Sequence, residues 1–413
     1  MKDKLMPMEK LLPFDDALAA LLGRVDWSMK NKTVSVAEAL GRALREVVVS
    51  PLDIPPFDKS AMDGYAVIAA DTTGASKDAP VRLSVLEDLP AGKAPTKKLG
   101  SGQASRIMTG APLPPGADAV VMVEDTKKGE GAVEIFRPAV AGDNMGFRGE
   151  DVRKGATVFS SGIRIGAAEM GMLAALGRTR VKVSRRPKVA VISTGDEVEA
   201  PGRKLKPGRI YDANQYALGG MAQRLGCAVE FMGIARDRVT AIEEKLDRAK
   251  KADAVLLTGG VSVGDYDLLA DILPAIGVEK IWHGVRVQPG KPTYAGIRGK
   301  TLFFGLPGNP VSCLVCFELF ARPALEKMMG LTGTGLRRGR AILAEEARTK
   351  PGRRKFLRAQ VVNEGPEVRV KIYRDQKSGV LTSMVLADCL VDVPGETASL
   401  PAGEAVNVLW LKG

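Results

Sequence analysis

Short β-branched apolar runs alternate with amphipathic stretches between residues 187 and 330. The runs at 189–193, 229–235, 254–258, 281–287 and 302–305 have the length and uninterrupted apolarity of buried strands. Between them, residues 213–225, 240–251 and 266–276 place apolar positions at helical spacing, with Asp212 and Gly226 bounding the first and Pro274 interrupting the third. Asn309 and Pro310 supply an N-cap and a first-turn proline for a long helix ending near Met329. This alternation predicts a doubly wound α/β domain with a mostly parallel sheet over residues 186–333.

On either side the texture changes. Residues 53–143 carry short alternating runs broken by Pro-Pro, Pro-Gly and Gly-Asp, the pattern of a mostly β domain. Residues 338–413 repeat such runs between turn signals such as Pro351-Gly352, which predicts a small C-terminal β-barrel. Residues 1–52 and 144–185 read as a helical linking domain with the β domain inserted in its middle. At 413 residues the chain exceeds what one core organises, in keeping with a multidomain protein.

Composition narrows the function classes. The formal charge is +12, yet aromatics are only 5%, so the stacking platforms of a nucleic-acid reader are lacking and an anionic small molecule is the better account of any functional charge. No apolar run is long enough to span a bilayer, and the first residues do not form a secretory signal, so a soluble cytoplasmic protein is expected. The four cysteines are too scattered for a disulfide framework. Cys313 and Cys316 form a CxxC inside an apolar helical run without a second pair, which favours core packing over zinc or redox chemistry. The single histidine, His283, excludes multi-histidine metal sites.

In an open α/β sheet, ligands bind beyond the carboxyl ends of the strands. The loops predicted there are STGDE (193–197), TGGVSVGD (258–265), QPGKPT (288–293) and GLPGNP (305–310). Gly259, Gly260 and Gly264 allow backbone to approach a charged ligand, but Asp265 follows where a Walker lysine would stand, and this disfavours P-loop hydrolysis. Glu197, Asp237 and Asp265 would crowd negative charge into a site built for an anion. A divalent cation resolves the conflict, because magnesium takes one or two carboxylates together with phosphate oxygens; helix capping is the alternative role for Asp237 and Asp265. Lys291, flanked by Gly290 and Pro292, offers a point charge to an oxyanion. Of Arg353, Arg354, Lys355 and Arg358, about one is expected to serve a site, the others forming a solvated face.

These motifs, with SPLDIPPFDKSAMDGYAV (50–67), RIMTGAPLPPGADAVV (106–121), RGEDVRKGA (148–156), RIYDANQ (209–215) and GLPGNPVS (305–312), occur in the order found in the molybdopterin molybdenumtransferases. The chain resembles that family, which includes the bacterial molybdenum insertases and the C-terminal part of gephyrin, over most of its length. The resemblance implies four domains and a homodimer. It also implies a reaction in which molybdate is inserted into adenylylated molybdopterin and AMP leaves with the help of Mg2+.

Carried over by position, the resemblance places Asp63 and Thr109 of one chain toward the α/β loops of the other. Thr258, Gly259, Gly260, Ser262 and Gly264, with Pro307, would hold the pterin and phosphate end. Glu197, Asp237 and Asp265 would lie near magnesium, with Asp267 an alternative to Asp265. Molybdate would sit by Lys291, Pro292, Ser312, Arg358 and Ser378. Gln288 departs from the pattern, since many relatives have lysine there, so Lys291 and Arg358 are expected to carry more of the oxyanion. Tungstate, also a tetrahedral dianion, would fit the same place, and a molybdopterin adenylyltransferase is the expected source of the substrate. The alternative readings are that adenylyltransferase itself, or a scaffold protein on the same fold.

Overall fold

The computed structural model describes residues 11–260, 268–362 and 367–412. Two compact units are present, one comprising Met1–Glu46, Ser161–Gly171 and Thr179–Gly413, the other Val47–Ser160 and Met172–Arg178. The second unit is built on a six-stranded sheet ordered Ala119–Met122, Gly64–Val67, Gln103–Ile107, Val81–Leu89, Ala132–Ile135, Thr126–Lys128. Successive residues of its strands point to opposite faces. Tyr65 and Val67 enter one core with Leu83 and Val133, while Ala66 enters another with Leu89 and Ile107.

The first unit holds the α/β sheet. Its strands are β1 (Lys188–Thr194), β2 (Ala228–Ala235), β3 (Ala254–Thr258), β4 (Glu279–His283), β5 (Tyr294–Arg298) and β6 (Thr301–Leu306), in the spatial order β2-β1-β3-β6-β5-β4. The first four in that order run parallel, and β5 is antiparallel to both its neighbours. The sheet is therefore mixed, with a parallel part where the apolar runs predicted it. Strand β5 escaped prediction because YAGIR is short, has glycine at its centre and follows a turn. The run at 281–287 is divided: β4 ends at His283, and Val287–Gln288 pairs instead with the C-terminal barrel.

Helix α1 (Asn214–Arg224) follows β1, α2 (Val239–Arg248) follows β2, and α3 (Leu268–Ala275) follows β3. The last long helix is α4 (Pro310–Cys316), a π turn (Phe317–Ala321) and α5 (Arg322–Met328). The predicted continuous helix is thus widened by one turn just before Pro323, whose ring has no N–H to continue the regular ladder. Phe14–Gly23 forms an amphipathic helix with Asp15 and Asp16 at its positive end and Phe14, Ala17 and Leu21 buried on one face. It docks through Trp282 Nε1 donating to the Ala17 carbonyl at 2.9 Å and Lys327 Nζ to that of Leu22 at 2.7 Å.

The C-terminal barrel closes five strands, β7 (Arg337–Leu343), β8 (Arg354–Val362), β9 (Arg369–Ile372), β10 (Cys389–Val393) and β11 (Ala405–Trp410). Closure runs β8-β9-β7-β11-β10 and back to β8. Side chains on β8 alternate: Leu357 and Ala359 fill the barrel, while Phe356 joins the core beneath the α/β sheet. No helix among the described residues is long and apolar enough to cross a membrane.

Candidate active site

The chain enters the sheet at β1, moves to β2 on one side and then to β3 on the other. The switch point lies between the carboxyl ends of β1 and β3, where open α/β sheets leave a crevice. A cavity of about 610 Å³ opens there, lined by Thr194, Glu197, Asn214, Asp237, Thr258, Gly259, Gly260, Pro292, Pro307 and Asn309 among others. Loops separated by more than a hundred residues in sequence therefore meet at one edge.

Glycine is required where β3 ends. Gly259 has φ +89°, and a Cβ there would lie 2.6 Å from the Thr194 carbonyl oxygen; Gly260 has φ +65°. The turn is fastened from both sides, by the Gly259 N–H donating to Leu306 O at 3.1 Å and by Thr194 Oγ1 donating to Thr258 O at 3.4 Å. Ser262, Gly264, Asp265 and Asp267 lie outside the described residues.

The acidic side is built by the β1 and β2 loops. The Asp196 N–H donates to Asp237 Oδ2 at 3.2 Å and the Asp237 N–H to Asp196 Oδ1 at 3.4 Å. Burial pushes the Asp237 carboxyl above the usual range, and the nearby charges of Asp196 and Glu197 push it the same way. Among the described residues no group of three acidic, histidine or cysteine side chains is arranged to hold a metal. Glu197 and Asp237 nevertheless supply two carboxylates to one cavity, enough for magnesium when phosphate completes its shell.

Asn214 and Arg236 were not singled out from the sequence. Asn214 Nδ2 donates at 2.8 Å to both Thr258 Oγ1 and Gly308 O, tying the β3 and β6 loops together, and its buried Oδ1 has no hydrogen-bond partner among the described residues. Arg236 Nη1 donates to the carbonyls of Gly195, Asp196 and Val198, at 3.3, 2.8 and 2.9 Å, and so shapes the STGDE loop from the next strand. The only foreshadowing of Asn214 was its place in RIYDANQ.

Behind Pro292 the QPGKPT loop packs on α4. Gly290 has φ +106° and faces Cys316 Sγ, and Thr293 Oγ1 donates to Gly290 O at 2.6 Å. Lys291 is half-buried beside Pro292, its carbonyl accepting from Val285 N–H at 2.9 Å. Ser312 is buried in the first turn of α4, next to Val311, whose N–H donates to Ser378 O at 3.0 Å. Arg358 is fully buried. Its Nε donates to Ser383 Oγ at 3.1 Å, and its Nη2 to Asp375 O at 3.3 Å and Lys377 O at 3.1 Å. Burial pulls its pKa down to about 10. Arg358 thus grips the loop that carries Ser378 to the helix terminus.

Asp63 and Thr109 belong to the other unit. They are bonded to each other, Asp63 Oδ1 accepting from both the N–H and the Oγ1 of Thr109 at 2.7 Å. These bonds hold the exposed Asp63 carboxyl below its usual range.

Family models match three stretches: the MoeA N-terminal region (domain I and II) at residues 12–177, a probable molybdopterin binding domain at 190–327, and the MoeA C-terminal region (domain IV) at 340–411. The chain is 40% identical over 382 residues to molybdopterin molybdenumtransferase 2 of Mycobacterium tuberculosis, covering 91% of this chain and 94% of the relative. It is 33% identical over 399 residues to the molybdopterin molybdenumtransferase of Staphylococcus aureus, covering 96% and 95%. A crystal structure of a molybdopterin biosynthesis protein, moeA, from Pyrococcus horikoshii superposes with a TM-score of 0.83 at 32% identity, over 97% of this chain and 100% of that one.

Proposed function

Since the chain belongs to the molybdopterin molybdenumtransferase family, and is accordingly a transferase of molybdenum cofactor biosynthesis, we propose that it takes adenylylated molybdopterin as substrate, inserts molybdenum from molybdate, and releases AMP in a magnesium-dependent step. The observation that carries this reading is the meeting of Glu197 and Asp237 with the Thr258-Gly259-Gly260 turn in one cavity at the switch point of the sheet.

A polyanionic substrate suits this cavity only if the carboxylates are offset. Magnesium, when bound, supplies that offset and polarises phosphate oxygens. Glu197 and Asp237 would hold it; burial, and after it the nearby Asp196 and Glu197 charges, disfavour the ionised Asp237 carboxyl, a cost that a bound cation would offset. Asn214, on the cavity wall, fixes the Thr258 and Gly308 ends of the two loops that would receive the pterin end. At the other end Lys291 and the start of the helix that begins at Pro310 offer positive charge to molybdate or tungstate, with Ser312 and Ser378 brought there by the Arg358 grip. Catalysis then consists of holding the oxyanion beside the dithiolene sulfurs and stabilising charge, with no covalent nucleophile on the protein. The same proposal includes a cytoplasmic homodimer, supplied by an adenylyltransferase, in which Asp63 and Thr109 of a second copy complete the site.

Glu197→Gln tests the metal role. AMP release from adenylylated molybdopterin, started by molybdate and followed over a magnesium titration, should slow by about tenfold or more. Unchanged turnover at saturating magnesium rejects the assignment, and consumption of ATP in place of AMP release would identify an adenylyltransferase.

A further inference from the structure

The basic run at residues 353–358 divides by role. Arg354 pairs bidentately with Asp392 at 2.7 and 2.6 Å, also reaches Asp15 at 2.7 Å, and lies over the Phe14 ring. Arg358 grips backbone carbonyls. Lys355 has neither occupation. It points to the same side of β8 as Leu357, into the barrel, and only 3% of its surface is exposed. Among the described residues its Nζ makes one hydrogen bond, to Arg353 O at 3.1 Å, and no carboxylate pairs with it. A nearly buried ammonium with most of its donor capacity unused is costly unless something else meets it.

The space it faces is a second cavity, of about 900 Å³, at the mouth of the barrel. Six basic and two acidic side chains line it. Both acids are already engaged, Glu345 by Lys371 at 2.6 Å and Glu346 by Arg348 at 3.0 Å. Lys350, Arg353, Lys355 and Arg374 are left to give the cavity its field. Burial, together with the Arg353 charge, lowers the Lys355 pKa, the signature of a cation lacking its counter-ion.

We propose that this barrel cavity binds a tetrahedral oxyanion, as the free ion or as the phosphate of a small molecule, on Lys355 with Arg353 and Arg374 beside it. The cavity is distinct in its lining from the one at the sheet's switch point. Its volume exceeds that of an ion, which favours an esterified phosphate.

Equilibrium dialysis of the full chain at low salt, with tungstate, inorganic phosphate and ribose 5-phosphate as separate probes, tests this. Lys355→Met should weaken binding of at least one probe by about tenfold or more, and Gln215→Ala, remote from the barrel cavity, should leave the binding of inorganic phosphate and ribose 5-phosphate unchanged. Preference for ribose 5-phosphate identifies an ester site, and preference for tungstate or phosphate a free-ion site. Replacing a buried charge by an apolar isostere keeps the barrel folded, which thermal melting verifies. Arg374→Gln, on the exposed rim, gives a second measure and should weaken the same probe by about threefold. If both variants bind all three probes as the parent does, or if the parent's only bound anion is lost in Lys291→Ala, the barrel site is overturned while the reading of the switch-point cavity stands.

Discussion

Gly290→Ala sets the geometry of the QPGKPT loop against the core in a way that can be worked numerically. A Cβ on Gly290 would stand 2.0 Å from Cys316 Sγ, where contact distances of about 3.5–4 Å are needed. The residue also has φ +106°, a conformation that costs an L-residue about 1–2 kcal/mol. Overpacking a filled core adds about 1–3 kcal/mol. The single substitution should therefore destabilise by about 2–5 kcal/mol, and Cys316→Ala alone by about 1 kcal/mol.

The double variant separates the two terms. With Sγ gone, the nearest atoms to the new Cβ are Thr293 Oγ1 at 3.5 Å and Cys316 Cβ at 3.8 Å, both ordinary contacts. The steric part disappears and the backbone part stays, so the pair should be more stable than the sum of its singles by about 1–3 kcal/mol. Tryptophan fluorescence during urea unfolding is a suitable assay, because Trp27, Trp282 and Trp410 all belong to the unit that contains this contact. Additivity within about 0.5 kcal/mol would show that Cys316 does not fill the space over Gly290, and the packing account of the CxxC would fail with it.

Two other substitutions follow from the same physics. Asp237→Asn should slow molybdenum insertion yet stabilise the metal-free protein at pH 7, since folding raises the pKa of this carboxyl; the folded state holds the proton more tightly, so wild-type stability falls as pH rises above the ordinary aspartate range, and the advantage of the variant should vanish below pH of about 4 in thermal melts. A variant less stable than its parent at pH 7 contradicts this. Arg358→Lys should destabilise the first unit by about 2 kcal/mol or more, because a lysine cannot reach Ser383 and two carbonyls together, and should weaken molybdate affinity through the displaced Ser378 loop; equal urea midpoints would refute it.

The parts of the fold visible in the sequence are those whose signal is local. Strands β1, β3 and β6 are apolar because neighbours cover both their faces, and they were readable to within about two residues; the largely exposed edge strand β2 was as readable, from its apolar run at 229–235 alone. Strand β5 and the π turn depend on partners far away in the chain, so no local period announces them. The same division holds in the site. Glycines such as Gly259 advertise a conformation that few other residues adopt, and acids beside them raise an electrostatic question that sequence alone can pose. Asn214 and Arg236 act by bonding to backbone carbonyls of other loops, a role open to many residue types and decided only by tertiary placement.

Charge shows the limit most plainly. In sequence, Arg353, Arg354, Lys355 and Arg358 are one basic run. Strand pleating sends Lys355 into the barrel, while pairing with Asp392 removes Arg354 from any anion and backbone carbonyls occupy Arg358. Alternation along a strand is itself a sequence-level property. What the sequence lacked was the knowledge that both faces of β8 are buried, one against the α/β core and one in the barrel, so that a lysine on it faces a cavity lined by other cations rather than open solvent.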